Sequence, residues 1–217
     1  MKFDIITIFP KIFDSYFSES ILARAQKKKL IKIKAHDLRR WATDKHKKVD
    51  DSPYGGGPGM VLKVDVIDRA VMAVKKLFKG KKQRVILFSA KGKTFTQDDA
   101  KRLAKYGQLI LICGRYEGVD ERVAEHIADE ELSVGNFVLT GGEIPAMIVV
   151  DAVSRLVPGV LGKEASLKDE SFCRDGYREY PQYTRPEKFK KWAVPEILLG
   201  GNHQEIEEWR NKNSQSE

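Results

Sequence analysis

Cysteine is scarce in this sequence, which contains only Cys113 and Cys173 among its 217 residues. Two cysteines cannot build the disulfide framework of a small secreted protein, and their number is typical of a reducing compartment. Neither cysteine stands in the paired Cys/His spacing of a zinc site. The histidines show no metal-ligand spacing either, so we predict no metal site; they are His36, His46, His126 and His203.

Long hydrophobic runs are also missing. No apolar stretch approaches the roughly 18 residues that a membrane-spanning helix requires. The opening stretch MKFDIITIFPKIFD is interrupted by charged residues too early for a signal peptide. We therefore expect a cytoplasmic protein with no membrane contact, built as one large domain or as one domain with a small appendage.

The charge balance is basic. Lysine and arginine number 39 against 31 acidic residues, which gives a formal net charge of +8. A positive field favours a polyanionic partner through phosphate contacts and counterion release. The densest basic run, residues 26–48, is typical of a solvated face, but in an RNA-binding protein it would be a surface for phosphate contacts.

Three apolar runs rich in β-branched residues predict strands that are buried on both faces. They cover residues 3–9, 85–89 and 109–113, with weaker candidates at 31–35 and 132–139. Helical patterns alternate with these strands. Asp65 is the expected cap of a helix that Gly80 ends, and Thr96 with Asp99 resembles a capping box. Further helices are expected over 120–128 and 145–156, so the pattern predicts an α/β fold with a parallel sheet and helices on both faces.

The character of the chain changes after Pro158. The stretch that follows has no sustained hydrophobic period and is rich in charged and turn residues, which predicts a linker over residues 162–174. Residues 175–217 are predicted to form a small helical tail with two short amphipathic helices separated by Gly200-Gly201. Trp192 and Trp209 are expected in the core of this tail. The alternative is that Tyr183, Arg185 and Trp192 stack on RNA or clamp it.

Three glycine-rich segments follow predicted strands, at residues 89–93, 113–122 and 133–145. In an open parallel sheet, ligands bind at the carboxyl ends of the strands, where glycine lets the backbone approach a ligand. Each segment alone is explained as a turn, but together they predict a shared small-molecule pocket. The GKT ending at Thr94 is not a phosphate loop, because Leu87 stands where that motif needs glycine, and no G-x-G-x-x-G follows a predicted strand.

Several long stretches together carry a family resemblance. DDSPYGGGPGM (50–60), CGRYEGVDERV, LTGGEIPAMIVVDAVSRLVPGVLG and YPQYTRP resemble bacterial tRNA (guanine-N1)-methyltransferases, which belong to the SPOUT class of knotted methyltransferases. The resemblance covers almost the whole chain. It implies a C-terminal trefoil-type knot in a catalytic domain over residues 1–161, S-adenosylmethionine as methyl donor, and a homodimer with an active site shared between subunits. The implied substrate is N1 of the guanosine immediately 3′ of the anticodon in tRNA, and the tail would bind tRNA although it is shorter than usual for the family.

The resemblance also implies which residues contact the methyl donor. Ala90, Asn136 and Phe137 depart from the proline, aspartate and tyrosine of the family, but contacts made by the backbone survive such changes. The implied donor contacts are Ser89, Gly114, Tyr116, Glu117, Val134, Gly135, Asn136, Phe137, Val138, Leu139, Gly141, Gly142 and Pro145.

The remaining implied roles concern the target guanine. The glycine loop would hold the base, with Asp50, Tyr54, Gly55, Gly56, Gly57 and Ser171 as substrate contacts; a plain surface turn is the alternative. Arg155 in DAVSRL would stabilise the deprotonated guanine, although an ion pair with Asp151 one helical turn away also explains it. Glu170 in KDESF replaces the aspartate of the family as catalytic base, with Asp169 as the second candidate.

Two other functions remain open from the residues alone. One is a knotted methyltransferase that modifies a different nucleotide or ribosomal RNA, and the other is an RNA-binding module without enzymatic activity. The donor loops argue against the module, because an RNA binder does not need them. The helix over 145–156 is expected at the dimer interface, and the alternative is a buried helix of a single-chain core.

Overall fold

The computed structural model describes residues 1–80, 82–162 and 170–215. Its internal contacts divide the chain into two compact units, Met1–Gly162 and Lys163–Glu217. No helix in the described ranges combines the length and the apolar character that crossing a bilayer requires.

A five-stranded, fully parallel sheet forms the centre of the first unit, with the strand order β2-β1-β6-β5-β7. Two further short strands, β3 and β4, form a small antiparallel pair. The prediction of a parallel sheet is confirmed, and its central strand β6 is buried at every position because it is covered on both faces. The strands are β1 (Lys2–Thr7), β2 (Lys32–Asp37), β3 (Asp50–Asp51), β4 (Val61–Leu62), β5 (Gln83–Thr94), β6 (Gln108–Cys113) and β7 (Glu130–Ser133).

Helices cover both faces of this sheet, as predicted. Alternate residues of β1 point to opposite faces, so Phe3 and Ile5 join one apolar core while Ile6 joins the other. The first core includes Val149 of α6, and the second includes Ile67 of α3. The helices of this unit are α1 (Asp14–Phe17), α2 (Ser20–Lys27), α3 (Val64–Lys76), α4 (Gln97–Leu103), α5 (Arg122–His126) and α6 (Glu143–Ser154).

The two predicted helix starts had different outcomes. Thr96 and Asp99 form the reciprocal capping box: Thr96 Oγ1 accepts from the Asp99 N–H at 3.4 Å, and the Asp99 carboxylate accepts from the Thr96 N–H at 3.2 Å. The predicted cap at Asp65 is wrong. Lys63 precedes α3 without a side-chain cap, and Asp65 lies in the first turn, where its carboxylate pairs with Arg69 at 2.9 Å.

The predicted strand over residues 132–139 is also wrong, because β7 ends at Ser133. Gly135 has a φ of +153°, outside the range of strand residues, and the chain leaves the sheet there. The apolar residues that suggested a strand belong instead to an open loop, in which Val138 is 87% exposed. Phe137, Val138 and Leu139 of this loop line a cavity at the edge of the sheet and are not buried in a strand.

A buried carboxylate, that of Asp4, joins the three strands β1, β2 and β6. Asp4 of β1 is fully buried and accepts hydrogen bonds from His36 of β2 at 2.7 Å and from Gln108 of β6 at 2.6 Å. Lys2 lies 3.0 Å from the same carboxylate. Burial by itself raises the pKa of Asp4, but the bonds from these three partners outweigh it, so its pKa lies below the ordinary value.

We expect Asp4→Asn to lower the free energy of unfolding by about 3 kcal/mol at neutral pH, because the change disrupts a buried, charge-assisted cluster. Since the folded-state pKa is lowered, the carboxylate stabilises the fold above the unfolded-chain pKa, and this contribution is lost as pH falls through the folded-state value. Urea denaturation at neutral and acidic pH measures both effects. Asp68→Asn, at an exposed position of α3, is the matched control; equal losses in the two variants would contradict the role of the cluster.

The second unit contains one hairpin and one α-helix among its described residues. The hairpin pairs β8 (Lys188–Phe189) with β9 (Trp192–Ala193), and α7 (His203–Asn213) begins at Asn202, whose Oδ1 accepts from the Gln204 N–H at 3.2 Å. The predicted helix before Gly200 is wrong: Pro195 is incompatible with a helix interior there, and only a short 3-10 turn, Glu196–Leu198, forms.

The two tryptophans of this unit lie in different environments. Trp209 is partly buried and its ring packs edge-on against Tyr180 and Tyr183, with centroids 6.5 and 6.2 Å apart. Trp192 is 66% exposed, so its predicted place in the tail core is wrong. The chain forms the β8–β9 hairpin at this position in place of the predicted helix, and the Trp192 side chain lies on its exposed side.

Candidate active site

Three segments at the carboxyl ends of β5, β6 and β7 enclose a cavity of about 480 Å³. The β5 segment is a bulge, because Phe88 and Lys93 both pair with Leu132 and the residues between them leave the ladder. The strand therefore continues to Thr94, beyond its predicted end at residue 89. Sequence and structure agree on the edge of the sheet at which a ligand would bind.

Most residues that the family resemblance assigns to the methyl donor lie around this one cavity. Gly135 and Asn136 belong to the same β7 loop but are not among the lining residues. The lining residues from the predicted set are Ser89, Gly114, Tyr116, Glu117, Val134, Phe137, Val138, Leu139, Gly141, Gly142 and Pro145.

Close backbone packing holds the start of α6 against the end of β6. The N–H of Gly142 donates to the carbonyl of Gly114 at 2.9 Å, and a Cβ atom at Gly142 would lie only 2.7 Å from Cα of Cys113. A side chain at this position would push the two segments apart. Glycine is therefore required here by close approach of the backbone, which explains part of the glycine-rich pattern.

A buried carboxylate fastens the loop between β7 and α6. Glu143, 1% exposed, accepts from Thr7 Oγ1 at 2.7 Å and from Arg115 Nε at 2.8 Å. Arg115 also donates to the carbonyl of Thr140 at 3.2 Å. This cluster joins the end of β1, the loop after β6 and the start of α6, so it holds one wall of the cavity in place.

Sequence reasoning missed several charged residues that line the cavity. Lys91 and Glu121 form an ion pair of 2.6 Å between two of the loops, and its hydrogen bond raises the pKa of Lys91. Glu131 of β7 also lines the cavity, and its Oε1 atom is buried without a hydrogen-bond partner in the part of the chain that the structure describes. All three lie within or beside the glycine-rich segments, so their positions in the sequence are the signal that could have identified them.

The glycine loop of residues 53–60 lies beside the cavity. It is a turn with Tyr54 fully exposed, and the φ angles of Gly55, Gly56 and Gly57 are +84°, +79° and +121°, which favour glycine. The loop is attached to the β6 segment through Met60, whose carbonyl accepts from the N–H of Glu117 at 3.1 Å.

Asp50 extends the contact between the glycine loop and the cavity. It pairs with Leu62 in the small antiparallel sheet, and its carboxylate lies close enough to the Tyr116 hydroxyl to affect the pKa of Tyr116. Partial burial, followed by the charge and hydrogen bond of Asp50, raises the pKa of Tyr116. The structure thus brings the predicted base-binding loop and the predicted donor site into contact.

The predicted catalytic residues belong to different units. Arg155 directly follows α6 and is partly buried. The carboxylate of Asp151, the alternative partner of Arg155, accepts a hydrogen bond from Tyr16, and this bond raises the pKa of Tyr16 to about 12. Glu170 lies in the second unit, and Asp169 lies outside the described residues. The roles of all three stay predictions.

Ser171, the remaining predicted substrate contact, also belongs to the second unit. Its Oγ accepts from the backbone N–H of Glu179 at 3.0 Å. This bond stabilises a turn, so Ser171 has a structural explanation in addition to the predicted contact with substrate.

Comparison with known proteins identifies the family. The family model described as tRNA (Guanine-1)-methyltransferase TrmD matches residues 1–217. A tRNA (guanine-N(1)-)-methyltransferase of Citrifermentans bemidjiense is 55% identical over 212 residues, which cover 98% of this chain and 84% of that relative. One of the same name from Ruminiclostridium cellulolyticum is 51% identical over 214 residues, which cover 99% of this chain and 91% of that relative. The chain therefore belongs to the tRNA (guanine-N1)-methyltransferase family and is a methyltransferase.

Proposed function

We propose that the chain transfers the methyl group of S-adenosylmethionine to N1 of the guanosine immediately 3′ of the anticodon in tRNA. The observation that carries the proposal is the cavity at the ends of β5, β6 and β7, which gathers the family motifs and adjoins the glycine loop. The proposal places the protein in the cytoplasm, with residues 1–161 as the catalytic domain, 162–174 as a linker and 175–217 as the tRNA-binding tail.

The cavity fits S-adenosylmethionine in size and chemistry. Its volume of about 480 Å³ lies within the usual range for a small-molecule site. Apolar side chains such as Leu87 and Leu139 suit a flat purine ring. Glu117 and Glu131 supply negative charge for a sulfonium and an ammonium group, whereas Glu121 is paired with Lys91. When bound, this molecule supplies a methyl group activated by a positively charged sulfur.

The protein has to deprotonate the guanine, because N1 carries a proton at neutral pH and has no free lone pair for attack. Glu170 is assigned as the base that takes this proton, with Asp169 as the second candidate. Arg155 stabilises the negative charge that then spreads over the ring and its O6 atom. Gly55, Gly56 and Gly57 present bare backbone to a flat base that has been turned out of its stack.

A trefoil-type knot and a shared dimer site complete the proposal. The chain that leaves β7 returns to the β6 segment, where Arg115 pairs with Gly141, before it enters α6. This return supports the knot that the family resemblance implies. Exposed apolar side chains on α6, Ile144 and Ile148, support its place at a subunit interface.

We expect Ile148→Asp to convert a dimer into monomers and to reduce methylation at low protein concentration. The aspartate charge would lose its hydration in an apolar interface without gaining a hydrogen-bond or ion-pair partner. Light scattering measures the mass, and Met72→Asp, an exposed apolar position on α3, is the control. A wild-type monomer that is fully active at micromolar concentration would contradict the shared site.

We expect Glu131→Gln to weaken binding of S-adenosylmethionine by about tenfold, because a partly buried carboxylate in the wall of the cavity loses the charge that would attract a cationic ligand. Calorimetric titration measures the affinity, and Glu125→Gln on α5, an exposed carboxylate that does not line the cavity, is the control. An unchanged affinity of Glu131→Gln for S-adenosylmethionine would show that Glu131 does not contribute to donor binding.

The proposed function is tested in two steps. Calorimetry first measures binding of S-adenosylmethionine, and mass analysis of nucleosides from incubated tRNA then identifies the modified base. Donor binding with 1-methylguanosine at the position 3′ of the anticodon is the expected result. Donor binding without a modified guanine in tRNA would favour a methyltransferase for another RNA, and no donor binding would leave an RNA-binding module.

A further inference from the structure

The β8–β9 hairpin displays two aromatic rings on the surface of the second unit. Phe189 and Trp192 face each other across the strands, with ring centroids 5.8 Å apart and planes inclined by 41°. Their exposed fractions are 55% and 66%. Two-stranded hairpins are marginally stable by themselves, and neighbouring exposed aromatics mark contact sites more often than scattered apolar residues do.

Lysines surround this aromatic pair. Lys190 occupies the hairpin turn with a φ of +56°, and its amine lies 5.4 Å from the Phe189 centroid and 5.9 Å from the Trp192 centroid. Lys188 and Lys191 lie on either side of it in the sequence. Within the described residues, no ion pair involves any of these three lysines.

Positive charge is concentrated in the hairpin. Three lysines fall within residues 188–191, and the nearest acidic residues in the sequence are Glu187 and Glu196. A protein partner of ordinary composition would not require such a concentration of positive charge beside exposed rings. A polyanion with flat apolar groups matches both features.

We propose that the β8–β9 hairpin binds an unpaired stretch of RNA, with bases stacked on Phe189 and Trp192 and with phosphates near Lys188, Lys190 and Lys191. Stacking on aromatic rings and phosphate neutralisation by lysine are the two contributions that hold single-stranded RNA without base-specific hydrogen bonds. The proposal rests on the proposed function only in that tRNA is the RNA concerned. It assigns part of the RNA affinity to five residues outside the methyl-donor cavity.

The test uses the full chain and a fluorescently labelled tRNA anticodon stem-loop, with binding measured by anisotropy in the absence of donor. Trp192→Ala is expected to weaken binding about tenfold, because one stacked base is lost. The double variant Lys190→Gln, Lys191→Gln is expected to weaken binding and to lower the slope of log affinity against log salt by about 1 to 2. Leu199→Ala and Lys212→Gln, both exposed in the same unit, are the controls and should bind like wild type.

Further measurements separate this proposal from its alternatives. The melting temperature and the calorimetric affinity for S-adenosylmethionine should stay unchanged in every hairpin variant. Normal binding of RNA by Trp192→Ala and by the lysine variant would overturn the proposal. A change of mass in light scattering without a change in RNA affinity would also overturn it, in favour of a protein contact. Wild-type protein that binds the stem-loop through the hairpin but methylates nothing would contradict the proposed function and leave the hairpin assignment standing.

Discussion

Glu170→Gln is expected to retain binding of S-adenosylmethionine and tRNA while losing methylation by a factor of about 100 to 10,000. The amide has nearly the shape of the carboxylate but cannot accept the N1 proton of guanine, and general base catalysis contributes a factor of this size. Single-turnover methylation of tRNA measures the chemical step. Binding measured separately for donor and tRNA shows whether the loss lies in chemistry alone.

Asp169→Asn is the matched control for this experiment, because the two carboxylates are neighbours in the chain. We expect it to change methylation much less than Glu170→Gln does. Glutamate reaches one methylene further than the aspartate of the family, so a small displacement of the linker is enough to place its oxygen. The reverse ranking would assign the base to Asp169, and full activity of the double variant would exclude both carboxylates from the chemistry.

Arg155→Ala is expected to lower turnover by about 100-fold or more, with little change in donor affinity. A guanidinium fixed near O6 stabilises the charge that appears as N1 loses its proton, and removing one preorganised donor of this kind has an effect of that size. Comparing turnover with the Michaelis constant for tRNA separates a role in the transition state from a role in ordinary binding.

The alternative for Arg155 is an ion pair with Asp151, which would contribute only a few tenths of a kcal/mol to the helix. The carboxylate of Asp151 accepts a hydrogen bond from Tyr16, so Asp151 has a structural role that does not require Arg155. Arg24→Ala, at an exposed position of α2, is a control for the loss of a surface arginine. Near-normal turnover in Arg155→Ala would leave Arg155 with a structural role.

The parallel sheet and its helices were predictable because their signals are local and repeat along the chain. β6 is apolar at every position after Gln108, and β1 has apolar residues on both of its faces, which is typical of strands covered on both faces. The capping box of α4 needs only Thr96 and Asp99, three residues apart. Apolar runs and capping boxes depend only on residues that are close in the sequence, so they can be predicted from the sequence alone.

Errors arose where distant contacts decide the conformation. Residues 134–139 have the composition of a strand, but they form a cavity loop because β7 lies at the sheet edge and Gly135 turns the chain away. The segment around Trp192 has helical spacing, yet Pro195 and the turn at Lys190 produce a hairpin. Local composition cannot distinguish these outcomes, because exposed and buried apolar residues look alike in a sequence.

The amino-acid sequence alone established the fold class, the edge of the sheet that carries the cavity and, through its motifs, the family. This was possible because strand periodicity and glycine-rich segments are patterns of consecutive residues, which can be recognised without the structure. Only the tertiary structure decided that Glu131 and Lys91 line the same cavity, that Glu143 and Arg115 hold its wall, and that Asp4 joins three strands. The partners in these contacts are tens of residues apart or more, and parallel strand order brings them together in a way that no short stretch specifies.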